Sequence, residues 1–87
     1  ARDLLVDEKI QALLSRGKAR DFYDLYFMLR ANLLPIHRRG ILPQASEALR
    51  RSGIDFEKEL KQFLPSNQWA IVRGFSATLE REMARFL

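Results

Sequence analysis

Residues 21–29 of the chain read DFYDLYFML, and this short run decides the fold. Wound as a helix, the run is apolar or aromatic on nearly every side, with Asp24 as the interruption within it. Helices of this composition are normally buried on most sides. The run therefore predicts a second helix, opening at Asp21 and ending near Asn32, at the centre of a helical bundle.

Four further helices are predicted around this one, each between residues that start or stop helices. The predicted segments, in chain order, are Asp3–Arg16 followed by Gly17, Pro43–Gly53, Asp55–Pro65, and a last helix capped by Ser66 or Asn67. Apolar residues recur at helical spacing in each: Leu4, Leu5, Ile10, Leu13 and Leu14; Ala45, Ala48 and Leu49; Phe56, Leu60 and Phe63; Val72, Phe75, Leu79, Met83 and Phe86. Residues 35–40 are predicted to form a loop. No segment alternates with period two, so the expected fold is all-α, a small bundle of about five helices with a central apolar second helix.

Composition narrows the class of protein. With 87 residues, 47% apolar and 30% charged, the chain has the balance of one small globular domain. It lacks cysteine, which favours a reducing compartment, and we expect a cytoplasmic location. No apolar run approaches the roughly 20 residues of a membrane span, so no membrane partner is expected. The net charge of +4 gives only a mild attraction towards phosphate.

Two carboxylates near the start of the second helix stand out. Asp21 and Asp24 are three residues apart and share a helical face. An ionised carboxylate is costly to bury alone, so Asp24 must either point to a cleft or be paired, and Lys9, Arg16 and Arg20 are the bases that can pair with it. A purely structural interpretation makes Asp21 the N-cap of the helix, Asp24 its third residue and Arg20 a surface partner. Periodicity alone favours that interpretation over a functional site.

The surrounding sequence indicates more. Residues 7–10 read DEKI and residues 12–26 read ALLSRGKARDFYDLY. Together they resemble the two C-terminal motifs of the AbiEii/AbiGii toxin family of nucleotidyltransferases, a Glu-Lys-Leu-like helix followed by Arg-Asp-Leu/Phe-Tyr-Asp-Leu. Ile10 stands where leucine is usual. The resemblance is dense over residues 7–29 and fades afterwards to general helical character.

This resemblance implies transfer of a nucleoside monophosphate from an NTP to an acceptor. In such proteins an N-terminal half supplies a Gly-rich motif and an Asp-x-Asp pair that holds Mg²⁺, and the C-terminal helices close the other side of the nucleotide cleft. Carried over to this chain, Lys9 contacts the triphosphate and Arg16 and Arg20 support it. Asp21 or Asp24 corresponds to the last acidic motif and is the candidate catalytic carboxylate.

The chain departs from the family in lacking both the Gly-rich motif and an Asp-x-Asp pair. We therefore expect residues 1–87 to be one helical domain, the C-terminal portion of a larger nucleotidyltransferase-like protein whose catalytic half comes first. A degenerate stand-alone remnant is the less favoured alternative. Mg²⁺ and an NTP are expected ligands of the full-length protein, and neither a metal nor a cofactor is expected for the fragment alone. The expected partners are the missing N-terminal half, a cognate antitoxin and an RNA acceptor.

Two other functions belong to different classes. Arg30 and His37 are spaced similarly to the Arg-x4-6-His motif of HEPN ribonuclease toxins, with His37 the sole histidine. Pro35 counts against this function, because that motif lies at the start of a helix. The main alternative is a non-catalytic helical module that binds nucleic acid or a protein partner through basic loops and exposed apolar surface.

Overall fold

The computed structural model of the chain describes residues 2–86, which form α-helices and short 3-10 helices and contain no β-strand. The α-helices are α1 (Arg2–Ser15), α2 (Ala19–Arg30), α3 (Leu42–Ser52), α4 (Phe56–Lys61) and α5 (Phe75–Ala84). A first 3-10 helix spans Ile36–Ile41 and a second spans Ser66–Ile71. The predicted all-α bundle is confirmed.

Helix α2 lies at the centre of the bundle, where it contacts α1, α4 and α5. Phe22 and Leu25 have no exposed surface and Leu29 almost none. An aromatic cluster extends from this helix, because the Phe22 ring meets Phe56 of α4 at 5.7 Å and Phe56 meets Phe75 of α5 at 5.1 Å. Such ring pairs add about 1 kcal/mol each beyond the area that they bury. The central position predicted for the second helix is confirmed.

Helix α1 buries a slightly different face from the predicted stripe. Val6, Ile10 and Leu13 are buried at i, i+4 and i+7, whereas Leu5 and Leu14 are exposed. Leu5 and Leu14 lie to either side of the buried line. The predicted apolar stripe was therefore wider than the face that α1 buries. The helix ends before Gly17, whose φ of 59° is the left-handed conformation that glycine adopts readily.

The start of α2 corrects one expectation. The N-cap is Lys18, and Asp21 is the third residue of the helix, where its carboxylate accepts a hydrogen bond from the Lys18 backbone N–H at 2.9 Å. Asp21 is therefore the acid of a capping box and not the N-cap. Asp24 lies one turn further into the helix than the structural interpretation assumed.

The second half of the chain is more broken than predicted. Residues 36–40, predicted as part of a loop, belong to the first 3-10 helix, which continues to Ile41. The predicted last helix is divided, because Gly74 takes a φ of 66° between the second 3-10 helix and α5. Phe63, predicted to be buried, is 49% exposed, since α4 ends at Lys61 and Phe63 lies beyond its last turn.

Candidate functional site

Two ion pairs connect α1 to α2 along one edge of the hairpin. Lys9 Nζ lies 3.0 Å from Asp24 Oδ2, and Arg16 Nη2 lies 2.7 Å from Asp21 Oδ1. Lys9 lies on α1 and Arg16 directly follows the last residue of that helix, whereas Asp21 and Asp24 are one turn apart on α2. The antiparallel hairpin therefore brings each base to its own acid.

Asp21 is the buried member of this set, with 3% of its surface exposed. Its carboxylate accepts hydrogen bonds from Arg16 Nε at 3.0 Å, from Arg16 Nη2 at 2.7 Å and from the Lys18 backbone. Burial alone raises the pKa of Asp21, but the hydrogen bonds from Arg16 and Lys18 and the charges of Arg16 and Arg20 outweigh it. The net effect lowers the pKa of Asp21, so the carboxylate is held ionised and closes the α1–α2 turn.

Arg16 carries the complementary effect. Its side-chain hydrogen bond with Asp21, followed by the charge of that carboxylate, raises the pKa of Arg16 above its ordinary value. About half of its side chain is exposed, and a guanidinium has five N–H donors in a fixed fork. Asp21 therefore fixes the guanidinium in place and leaves donors on the solvent side.

The second pair, Lys9 and Asp24, is more open. The side chain of Lys9 is 40% exposed and that of Asp24 is 30% exposed. An ammonium has three donors, and the contact with Asp24 uses one of them. This pair is accessible to a ligand, whereas the Asp21 carboxylate is enclosed.

Arg20 points into a groove on the same part of the molecule. Its guanidinium carbon lies 5.2 Å from the centre of the Phe63 ring, in cation–π contact. The groove has a volume of about 660 Å³ and runs between residues 16–20 on one side and residues 52–55, Glu59 and Phe63 on the other. One wall is basic and the other carries carboxylates.

Sequence reasoning missed the second wall of this groove. Asp55 is the N-cap of α4, Glu59 lies one turn further along in that helix, and Phe63 follows beyond the end of the helix. This spacing was visible in the sequence, but its position opposite the α1–α2 turn depends on the packing of α4 against α2. The sequence-predicted residues Arg16 and Arg20 both line the groove.

The described residues do not fit a Mg²⁺ site. Residues 2–86 contain no group of three or more histidine or carboxylate side chains placed to hold a metal ion. Asp21 and Asp24 are each already paired with a base.

The residues of the ribonuclease alternative lie in separate surroundings. Arg30 Nη1 is 4.0 Å from Glu82 of α5. His37 is exposed in the first 3-10 helix. In the described part of the chain no hydrogen bond or ion pair joins the two residues.

Taken together, the fold and the hairpin define a small helical domain with basic side chains fixed by carboxylates along one edge. Residues 3–86 match the family model described as nucleotidyl transferase AbiEii toxin, type IV toxin–antitoxin system. The chain therefore belongs to the AbiEii nucleotidyl transferase toxin family. Comparisons with curated proteins and with solved structures gave no match. Among the described residues, every helix is too short or too polar to span a bilayer.

Proposed function

We propose that this chain is the helical part of the nucleotide cleft in a larger cytoplasmic nucleotidyltransferase, which transfers a nucleoside monophosphate from an NTP to an RNA acceptor. The observation that supports the proposal most is the Lys9–Asp24 pair, which is half exposed on the edge that also carries Arg16. The family match supports the reaction class. In this proposal a preceding half of the protein binds Mg²⁺, and a cognate antitoxin limits the activity.

The proposed role of Lys9 follows from its remaining donors. Phosphoryl transfer depends mainly on positioning and on neutralising charge at the phosphate oxygens. Asp24 holds the Lys9 ammonium in place before a ligand arrives, and the other two donors are available to a triphosphate. Asp24 is therefore a positioning residue for Lys9, and Lys9 is the group that contacts the nucleotide.

Arg16 and Arg20 extend the basic surface from Lys9 towards the groove. Asp21 fixes Arg16, and the contact with Phe63 fixes Arg20. Because both guanidinium groups are already held in place, little side-chain freedom is lost when they bind an anion. Asp21 acts in this proposal through the turn that it closes, and Asp24 is the candidate functional carboxylate.

The test uses the longer protein that the proposal requires, expressed from its complete reading frame. With labelled NTP, Mg²⁺ and RNA, we expect Lys9→Gln and Asp24→Asn each to lower transfer by on the order of 100-fold. The melting temperature is expected to change by only a few degrees, since exposed ion pairs contribute about 0–1 kcal/mol.

Lys58→Gln, on the exposed side of α4, is the matched control and should leave transfer unchanged. The 87-residue chain alone should not label RNA, because its described residues do not form a metal site. Full transfer by the Lys9 and Asp24 variants, or transfer by the isolated chain, contradicts the proposed roles.

A further inference from the structure

We infer that one end of the bundle, formed by the first 3-10 helix and the last turns of α2 and α5, is a binding surface for the phosphodiester backbone of single-stranded RNA. We name it the arginine end, and its residues are Arg30, Arg38, Arg39, Arg85 and Phe86. This surface is separate from the Lys9–Asp24 pair. RNA binding by the arginine end is independent of the proposed function. The further claim that the bound RNA is the acceptor strand rests on the proposed function.

The arginine end is a connected network. Arg85 Nη1 donates to both carboxylate oxygens of Glu82 at 2.9 and 3.1 Å, and Arg30 approaches the same carboxylate at 4.0 Å. The guanidinium carbons of Arg39 and Arg85 lie 4.7 and 5.7 Å from the centre of the Phe86 ring. Three segments distant in sequence therefore place their arginines on one surface.

Positive charge exceeds negative charge at this end. Three of the four arginines pair with two carboxylates: Arg30 and Arg85 with Glu82, and Arg38 with Asp7, which lies 3.0 Å from Arg38 Nε. Arg39 has no carboxylate within 4 Å among the described residues, and its buried Nε has no hydrogen-bond partner there. Among the described residues, the group that contacts this guanidinium is the face of the Phe86 ring.

Two of these arginines, Arg38 and Arg39, differ from ordinary solvated ones. Arg50 and Arg51 on α3 are exposed and contact only residues one turn earlier in their own helix, Ser46 and Glu47. Arg38 and Arg39 instead lie partly buried, and Arg39 is stacked on a ring from another segment. Stacking fixes the guanidinium plane, so less side-chain entropy is lost when it binds.

The composition of this surface favours a nucleic-acid backbone over other anions. All of its basic groups are arginines, whose planar fork binds phosphate oxygens in pairs and stacks on bases. A lipid surface would need an apolar face beside the charges, and Ile36, at 79% exposed, is the one large apolar side chain of the first 3-10 helix that is exposed. Single-stranded RNA uses both the charge and the stacking planes.

Binding is measured on the 87-residue chain by fluorescence anisotropy with a labelled oligoribonucleotide of about 12 nucleotides, without NTP or Mg²⁺. With three or four phosphate contacts, we expect affinity to fall roughly 20- to 50-fold between about 50 and about 200 mM salt. Arg39→Gln/Arg85→Gln should weaken binding about tenfold or more at the lower salt and flatten the salt dependence.

Arg50→Gln/Arg51→Gln removes the same charge from α3 and is the matched control, which should bind almost as well as the unaltered chain. Arg39→Lys keeps the charge but not the planar fork, so we expect it to lose part of the RNA affinity. This milder variant replaces the double variant if the latter does not fold. Circular dichroism checks folding. No RNA binding at the lower salt, or equal loss in both double variants, overturns the inference.

Vesicles of phosphatidylserine and phosphatidylcholine form a separate arm. Arginine-dependent binding to vesicles without RNA binding also overturns the inference. If Lys9→Gln abolishes nucleotide transfer while the arginine-end variants retain it, the proposed function stands. The RNA bound at the arginine end is then not the acceptor strand.

Discussion

Asp21 and Asp24 have the same side chain, one helical turn apart, and different surroundings. Asp21 is enclosed and accepts three hydrogen bonds, whereas Asp24 makes one contact with a half-exposed lysine. The sequence predicted that Asp24 would either point to a cleft or pair with Lys9, Arg16 or Arg20. It could not assign which acid is buried, because that depends on where α2 begins, and the helix begins two residues before Asp21.

The lowered pKa of Asp21 predicts a pH-dependent stability. Because the folded state favours the ionised carboxylate, its contribution is full above the unfolded pKa of about 3.9 and is lost as pH falls through the lower folded pKa. We expect Asp21→Asn to lower the free energy of unfolding by roughly 1–2 kcal/mol at neutral pH, and by progressively less below about pH 4. Urea denaturation followed by circular dichroism between these pH values measures both effects.

Asp24→Asn is the matched control for that experiment. Its ion pair is half exposed, so its loss should cost less than about 1 kcal/mol at neutral pH. The role given to the ionised carboxylate is contradicted if Asp21→Asn lowers the free energy of unfolding by the same amount at every pH.

The sequence predicted which helices form more accurately than it predicted where each helix begins and ends. The glycine after α1 and the left-handed glycine after α3 end their helices as predicted, and Asp55 caps α4 through the Lys58 N–H. The last helix was predicted as one piece because its apolar stripe continues across Gly74. Periodicity does not detect a left-handed residue inside a stripe that remains buried on both sides of it.

The helix end at Gly53 provides a test at this scale. Gly53 has a φ of 61°, which disfavours any residue with a Cβ, although an added Cβ meets nothing within 4 Å. We therefore expect Gly53→Ala to lower the free energy of unfolding by about 1 kcal/mol through backbone conformation alone. Thermal and urea denaturation measure the change.

Gly40→Ala is a control that distinguishes the effect of backbone conformation from the effect of the space that the added Cβ needs. An added Cβ there also meets nothing within 4 Å, but Gly40 is not left-handed, so the substitution should be neutral or stabilise the chain by less than about 1 kcal/mol. Equal loss at both glycines would show that the φ of Gly53 is not the cause.

At the scale of the whole molecule, one core joins every segment, including the broken last part of the chain. Val72, Phe75 and Leu79 are as deeply buried as the residues of α2. Trp69, the single tryptophan, is 40% exposed in the second 3-10 helix, where its indole N–H donates to the Leu64 carbonyl at 2.9 Å. A change in its fluorescence therefore reports on the periphery of this core.

We expect tryptophan fluorescence and far-ultraviolet circular dichroism to show the same urea midpoint, since small domains with one core usually unfold as a unit. Ile10→Val, in α1, should lower both midpoints together, by a loss of about 1 kcal/mol. An earlier fluorescence transition that Ile10→Val does not move would instead indicate local unfolding around Trp69.

The site was less predictable than the fold for a reason that operates at this same scale. The pairs Lys9–Asp24 and Arg16–Asp21 join residues that are close in sequence, so pairing within the hairpin could be anticipated. The contacts of Arg20 with Phe63 and of Arg39 with Phe86 join residues more than 40 positions apart. Such contacts depend on how α4 and α5 pack, which a single sequence without relatives does not record.

The closure of the α1–α2 turn bears on the order of folding. Its hydrogen bonds link Arg16 and Lys18 to Asp21, across five residues and three residues. Short loops cost little entropy to close and form rapidly, so this turn can form before the distant segments meet it. An interaction made early changes the folding rate more than the unfolding rate. Loss of the Asp21 carboxylate is therefore expected to slow folding, while the folded chain unfolds at nearly its original rate.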